Sequence, residues 1–168
     1  DEMDWLAYGL NQTQAAYDDE RFAFELFGDR AAETPDAIAA THGEESITYG
    51  ELDARSWQMA RLLQEKLLVP GCRVAVALDR SVDMLVTLLA IMKADHIYVP
   101  LDPDHPEARL RQTMEAAKIS AVICKSDRIA ALAGEDVLPI MLDEERDAIA
   151  ARDGAPLEER VHGTQAAA

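Results

Sequence analysis

Apolar positions in this chain recur at helical spacing in some stretches and form short β-branched runs in others, and the two kinds alternate. Residues 1–20, "DEMDWLAYGLNQTQAAYDDE", show only weak periodicity between polar clusters. They are expected to form a linker that lies along a surface through Trp5, Leu6, Tyr8 and Tyr17. From Arg21, "RFAFELFGDRAAETPD" has helical spacing, with Phe24, Phe27 and Ala31 on one stripe and Pro35 ending it. "AIAATHGEESITY" predicts two short strands about a turn at Gly43.

In "TYGELDARSWQMARLLQEKLL", Thr48 and Glu51 have the spacing of a capping box, which satisfies two orphan donors at a helix start. Leu52, Met59, Ala60, Leu63 and Leu67 follow at helical spacing, with Ser56 in the remaining place on the stripe. Trp57 and Met59 are expected in the core or half-buried. "VPGC" stops the helix, and "RVAVALD" is a buried strand by length and β-branching. Ser81 can cap the next helix, which is apolar almost all round and so expected to be sandwiched inside.

"IYVPLD" predicts another strand, and Pro106 suits the first position of a helix in which Leu110, Met114 and Ala117 face inward. "SAVIC" and "LPIML" are two more apolar runs, separated by "KSDRIAALAGED". This β-α-β-α-β alternation predicts an α/β fold, three-layer-like, with a mainly parallel sheet flanked by helices. Beyond Asp143 the sequence turns polar and then Ala-rich, and its organisation fades. The expected divisions are a linker at 1–20, an α/β unit at 21–145 and an exit segment at 146–168.

Composition narrows the function. The 168 residues suffice for one domain with a sizeable core. With 32 acidic and 16 basic residues the net charge is -16, which disfavours nucleic acid and anionic membranes as partners. Cys72 and Cys124 form neither a disulfide framework nor a zinc site and fit a reducing cytoplasm. The longest apolar run, within "VDMLVTLLAIM", is too short to span a bilayer, and no signal peptide opens the chain. The first residue is Asp1 rather than Met, so the chain is expected to be a piece of something longer.

Neither the dinucleotide fingerprint G-x-G-x-x-G, the phosphate loop G-x-x-x-x-G-K-[ST], nor the hydrolase elbow G-x-S-x-G occurs. His96, Asp102, Asp104 and His105 suggest a divalent metal, but no paired spacing on one face supports it. The two aspartates flank Pro103, where Asp favours a turn, and Asp104 or His105 can cap the following helix. A second idea is a phospho-acceptor module on Asp79, which closes one strand as Lys125 closes another, with Glu44 and Glu45 as further acids. The glutamates, however, fall in a hairpin turn.

Four stretches in order, "LNQTQAAY", "LFGDRAAETPDAIAA", "ITYGEL" and "IMKADHIYVPLDPDHPEARL", resemble consecutive landmarks of a nonribosomal peptide synthetase adenylation domain. The likeness covers about residues 10–125, and the first stretch resembles the linker that follows a condensation domain. It implies a partial N-terminal subdomain of an adenylate-forming enzyme. Thr48, Tyr49, Glu51 and Leu52 fall in the first core motif, and Lys93, Tyr98, Pro100, Asp102 and Pro106 in the second. Both motifs are expected to be structural. The family makes an aminoacyl-adenylate from ATP with Mg²⁺ and passes the acyl group to a carrier's phosphopantetheine. The catalytic segments of that chemistry come later than this stretch, so no catalytic, ATP-binding or metal-binding residue is expected here, and the chain alone is expected to be inactive. The implied partners are neighbouring condensation and carrier domains.

The resemblance has one departure: Asp95 and His96 stand where the family usually has Gly-Gly or Gly-Ala. A non-glycine residue just past a helix end costs on the order of 1 kcal/mol, and less for Asp. This predicts a reshaped helix-to-strand connection. It also raises a rival to the ligase reading: a non-catalytic adenylation remnant that serves as a docking platform beside a condensation domain.

Overall fold

The computed structural model describes residues 2–9, 12–13, 21–125 and 127–156. Tyr17 and residues 157–168 fall outside the described residues. Helix α1 (Glu2–Asp4) runs into one turn of π-helix, Trp5–Gly9, with Trp5, Leu6 and Tyr8 exposed. Helix α2 (Ala23–Glu33) buries Phe24 and Ala31 and ends at Thr34, before Pro35. Strands β1 (Ile38–His42) and β2 (Glu45–Thr48) pair antiparallel as a separate two-stranded sheet.

Helix α3 (Tyr49–Lys66) starts at a complete capping box. Thr48 Oγ1 accepts from the Glu51 amide at 3.2 Å, and Glu51 Oε2 accepts from the Thr48 amide at 3.0 Å. Strand β3 (Arg73–Ala77) follows, then α4 (Val82–Lys93), capped by Ser81 Oγ. Next come β4 (Ile97–Pro100), α5 (Glu107–Ala116), β5 (Ala121–Cys124), α6 (Asp127–Leu132), β6 (Leu138–Met141) and α7 (Leu142–Ala150). Strands β4-β3-β5-β6, in that order, make one wholly parallel sheet.

The two-residue period of the strands divides the core. Val74 and Val76 of β3, with Ala121 and Ile123 of β5, face the layer of α3, α4 and α7. Ala75, Ala77, Val122 and Cys124 face α5 and α6 through Leu110, Met114, Ile129 and Leu132. The result is the three-layer α/β architecture expected of these runs, with small residues at the sheet centre letting the helices approach. Pro100 lacks an N–H, and β4 is an edge strand, where that lack breaks no ladder.

Two helices end the same way. After α4, the Asp95 amide donates to the Met92 carbonyl (3.2 Å) and the His96 amide to Ile91 (3.0 Å). After α5, Lys118 donates to Glu115 and Ile119 to Met114. Each is a Schellman closure, with Asp95 at φ 59° and Lys118 at φ 50° in the left-handed region. The α4–β4 connection is therefore not reshaped by its non-glycine residues. Asp95 adopts the glycine-type conformation and the hydrogen bonds of the tight exit are kept.

Three further expectations need revision. Helix α4 is not enclosed on every side: α2, α3 and strands of both sheets contact it, yet Leu85 and Met92 remain 39% and 37% exposed. Neither Asp104 nor His105 caps α5; Pro106 itself holds the N-cap position with extended ψ, one place earlier than expected, and has no side-chain cap. Among the described residues, organisation does not fade after Asp143. Helix α7 runs through the 145/146 division, and residues 151–156 follow it in an ordered path.

Replacing a left-handed residue by glycine removes its steric cost. Lys118→Gly should therefore raise unfolding free energy by about 1 kcal/mol, and Asp95→Gly by less, since Asp tolerates that conformation better. Urea denaturation measures both; a loss of stability in Lys118→Gly would contradict the assignment.

Candidate functional site

Lys93, the last residue of α4, carries an ammonium that is buried against α3, with its side chain 1% exposed. Residues 53, 56 and 57 lie at i, i+3 and i+4 on α3, hence on one face. Lys93 Nζ donates to Asp53 Oδ1 (2.6 Å), to the Asp53 carbonyl (3.2 Å) and to Ser56 Oγ (2.7 Å). Three acceptors match the three protons of the ammonium. Ser56 in turn donates to the Asp53 carbonyl at 2.9 Å. The Trp57 ring centroid lies 4.6 Å from Nζ and the Phe27 centroid 5.7 Å, so aromatic faces take the remaining side of the charge. Ser56, a gap-filler on an apolar stripe by sequence, is thus a polar partner.

The "ITYGEL" residues gather around the same joint. Tyr49 meets Phe27 with ring centroids 5.7 Å apart, and Leu52 is buried in the main core. The Gly50 amide donates to the Pro35 carbonyl at 2.9 Å, and a Cβ at Gly50 would come within 3.2 Å of Pro35. Glycine here permits the backbone approach that brings α2 onto α3. An open cleft of about 630 Å³ lies above, lined by Phe24, Glu25, Trp57 and Lys93 among others.

Strand order reverses between β3 and β5, and ligands of open parallel sheets bind outside the carboxyl ends of strands at such a point. Here that crevice holds an ion-pair cluster. Asp83, in the first turn of α4, accepts from Arg55 Nη2 at 2.8 Å and from Lys125 Nζ at 2.6 Å. Burial pushes the Asp83 carboxyl up. The Lys125 hydrogen bond and the charges of Lys125, Arg55 and Arg146 outweigh that and hold it below the ordinary carboxylate range. Both oxygens are engaged and the group stays ionised, so Asp83 acts as a clamp between α3, α4 and the end of β5 rather than as a proton acceptor. The loop between β3 and α4, "LDRS", has no glycine to cradle a phosphate.

This pairing corrects the phospho-acceptor idea. Lys125 engages Asp83, not Asp79. Asp79 is exposed, and its carbonyl accepts from Ser81 Oγ at 3.1 Å. Glu45 lies on β2 and Glu44 in the turn before it. The metal idea also fails on geometry, since His96 precedes β4 and Asp102 follows it, about 13 Å of strand apart. Asp102 Oδ1 instead accepts from the Asp104 amide at 3.0 Å, and its carbonyl from the His105 amide at 3.2 Å, closing the turn before Pro106. Tyr98 pairs in register with Val74 and is partly buried against the core.

His96 is the least expected member of the second motif. It is only 5% exposed, and neither ring nitrogen has a hydrogen-bond partner of good geometry among the described residues. Burial lowers its pKa below the ordinary value, while the Asp95 charge and the nearby Leu63 carbonyl oppose this without reversing it. The ring is held neutral in the joint between α4, β4 and α3.

Similarity to known proteins follows the same residues. The family model for the AMP-binding enzyme matches residues 27–167. A linear gramicidin synthase of Brevibacillus parabrevis is 43% identical over 123 residues, covering 73% of this chain and 2% of that protein. Malpinin synthetase of Mortierella alpina is 41% identical over 137 residues, covering 82% of this chain and 2% of that protein. The chain thus spans about 2% of the length of these relatives. Among solved structures, the fold is similar to a nonribosomal peptide synthetase in its α-methyl-L-serine-AMP bound form. The TM-score is 0.79 at 23% identity, over 94% of this chain and 18% of the other. It is also similar to the N-terminal subdomain of Klebsiella oxytoca NpsA, with a TM-score of 0.69 at 25% identity, over 82% of this chain and 34% of the other.

Two outcomes follow from the joint. Breaking a buried charge pair on one side strands the other charge. Lys93→Met and Asp53→Ala should each cost roughly 3 kcal/mol, and the double variant clearly less than their sum, in urea unfolding; additive losses would refute the pairing. For His96 the unfolded chain takes up a proton near pH 6.5, which the folded ring resists, so stability falls as pH drops below that value. His96→Phe should flatten the dependence of Tm on pH between 7 and 5; an unchanged slope would mean the ring is accessible to solvent.

Proposed function

The chain belongs to the AMP-binding enzyme family and corresponds to part of a nonribosomal peptide synthetase adenylation domain, and from that premise we propose that it forms a structural layer of an amino-acid-activating ligase. The whole domain would join an amino acid to ATP, with Mg²⁺, as an aminoacyl-adenylate with release of pyrophosphate. The acyl group would then pass to the phosphopantetheine thiol of a carrier domain. The observation that supports this reading is the family match across residues 27–167. The structure accords with it in one respect. The polar groups of the described crevice and of the Lys93 joint are engaged with one another, as suits a scaffold rather than a reaction centre.

In this reading the chain supplies the parallel sheet and the α3–α4 layer on which the nucleotide-handling part is built. Neighbouring condensation and carrier domains are its partners, and the exposed Trp5, Leu6 and Tyr8 are apolar surface for a neighbour. We place the synthetase in the cytoplasm. Among the described residues, no helix is long and apolar enough to cross a membrane. The rival reading, a non-catalytic remnant, draws one of its supports from the Asp95–His96 departure; against that support, Asp95 takes the left-handed conformation and the helix exit keeps its hydrogen bonds.

Amino-acid-dependent exchange of labelled pyrophosphate into ATP tests the proposal. The complete polypeptide that contains this chain should catalyse exchange with at least one amino acid, and residues 1–168 alone should catalyse none. Exchange by the 168-residue chain would overturn the scaffold role. A complete polypeptide silent with every amino acid would restore the remnant reading.

A further inference from the structure

Helix α3 carries a second stripe besides its buried one. Ala54, Gln58, Arg61 and Glu65 are spaced by four, three and four residues and so lie along one face. What this stripe touches is the segment after α7. Gln58 Nε2 donates to the carbonyls of Ala150 (3.3 Å) and Arg152 (3.0 Å). Arg61 donates from Nε to the Asp153 carbonyl and from Nη2 to the Ala155 carbonyl, both at 2.8 Å. Glu65 receives the Arg152 guanidinium, with Nε 3.1 Å from Oε1 and Nη2 on the other oxygen. That hydrogen bond holds the Glu65 carboxyl below its ordinary pKa. The next residue, Lys66, pairs with Glu145 of α7 at 2.7 Å.

The fit is close at one further point. A Cβ on Gly154 would stand 3.0 Å from the Ala54 Cβ and 3.2 Å from its Cα and carbonyl oxygen. Four of the acceptors on the segment are main-chain carbonyls. The helix therefore reads mainly the path of the backbone, with side-chain contacts at Arg152, at the Asp153 carboxylate 3.7 Å from Arg61 Nη2, and at the bare Gly154. The Arg61 fork spans two carbonyls two residues apart, which a lysine ammonium on a flexible stem does not reproduce.

We propose that this stripe is a latch: Arg61 and Gln58, with Ala54 seated against Gly154, clamp residues 150–155 onto α3. Pro156, the next residue, lines the cleft beside Trp57 and Lys93. The latch makes α7, α3 and residues 150–155 one body, and Arg61 is its positioning residue. It stands on contacts within the described residues and holds whether or not the proposed activity does.

Trypsin provides the probe, because Arg152 lies inside the clamped segment and its cleavage needs the segment to open. The variants Arg61→Lys and Ala54→Leu act from α3 and leave the cleaved sequence unchanged. Native cleavage after Arg152, followed by mass spectrometry on the full chain, should be about tenfold faster in Arg61→Lys, the factor that loss of one charge-assisted hydrogen bond gives, and also faster in Ala54→Leu, whose larger side chain displaces Gly154. Cleavage after Arg73, at the start of the central strand, should change far less, and Tm should stay close to that of the unaltered chain. Unchanged cleavage after Arg152 would overturn the latch. A rise at Arg73 as large as that at Arg152, with a falling Tm, would also overturn it, since Arg61 would then serve only general stability.

Discussion

The fold turns on one buried ammonium. Lys93 ends α4 inside the protein, where an unpaired charge would be costly, and every proton of its head finds an acceptor on α3. Because those acceptors sit at Asp53 and Ser56, with the Trp57 ring closing the remaining side, the charge is satisfied only at one register of the two helices. Apolar packing of α3 on α4 tolerates sliding; this cluster does not. The crevice clamp at Asp83 acts at the other end of α4 in the same manner, tying it to Arg55 of α3 and to Lys125 beyond β5.

From that fixed helix pair the rest is positioned in order. The Schellman closure at Asp95 and His96 turns the chain back within two residues into β4, and the Gly71 amide donates to the Asp95 carbonyl at 2.7 Å, holding the loop before β3 beside it. Strands β3 and β4 thereby start in register, with Arg73 opposite Ile97. Gly50 brings α2 against α3 from the other side, and the Asp102 turn sends the chain from the sheet edge into α5. The two motifs that carry the family resemblance are therefore the two sides of one joint: "ITYGEL" starts the helix that accepts Lys93, and "MKADHIYVPLDP" begins beside that lysine and runs on to the turn.

What the sequence makes legible here is what depends on neighbours in the chain. The capping box at Thr48 and Glu51, the Ser81 cap and the short buried strands all follow from spacing and residue type within a few positions. The contacts that decide the joint join residues about forty positions apart. Nothing local marks Asp53 or Ser56 as partners of Lys93, and Ser56 looks like a space on an apolar stripe. Lys125 matches Asp79 by sequence because both close strands, yet the first turn of α4 carries Asp83 nearer. The segment after α7 has no apolar period because α3 holds it by its carbonyls, and such contacts leave no pattern of side chains to read. His96 misleads for the opposite reason, since a lone histidine beside acids suggests a ligand and the fold buries it.

The most direct test of the account is NMR detection of the side-chain ammonium groups at neutral pH and low temperature. With Nζ bound by three acceptors and set over the Trp57 ring, the Lys93 ammonium should give a distinct, slowly exchanging signal shifted upfield by that ring, lost in Lys93→Met. Lys66 and Lys118 should exchange with water too fast to be seen. A Lys93 signal that is absent, or that has the shift and exchange of a solvated lysine, would contradict the claim that this buried charge sets the register of α3 and α4.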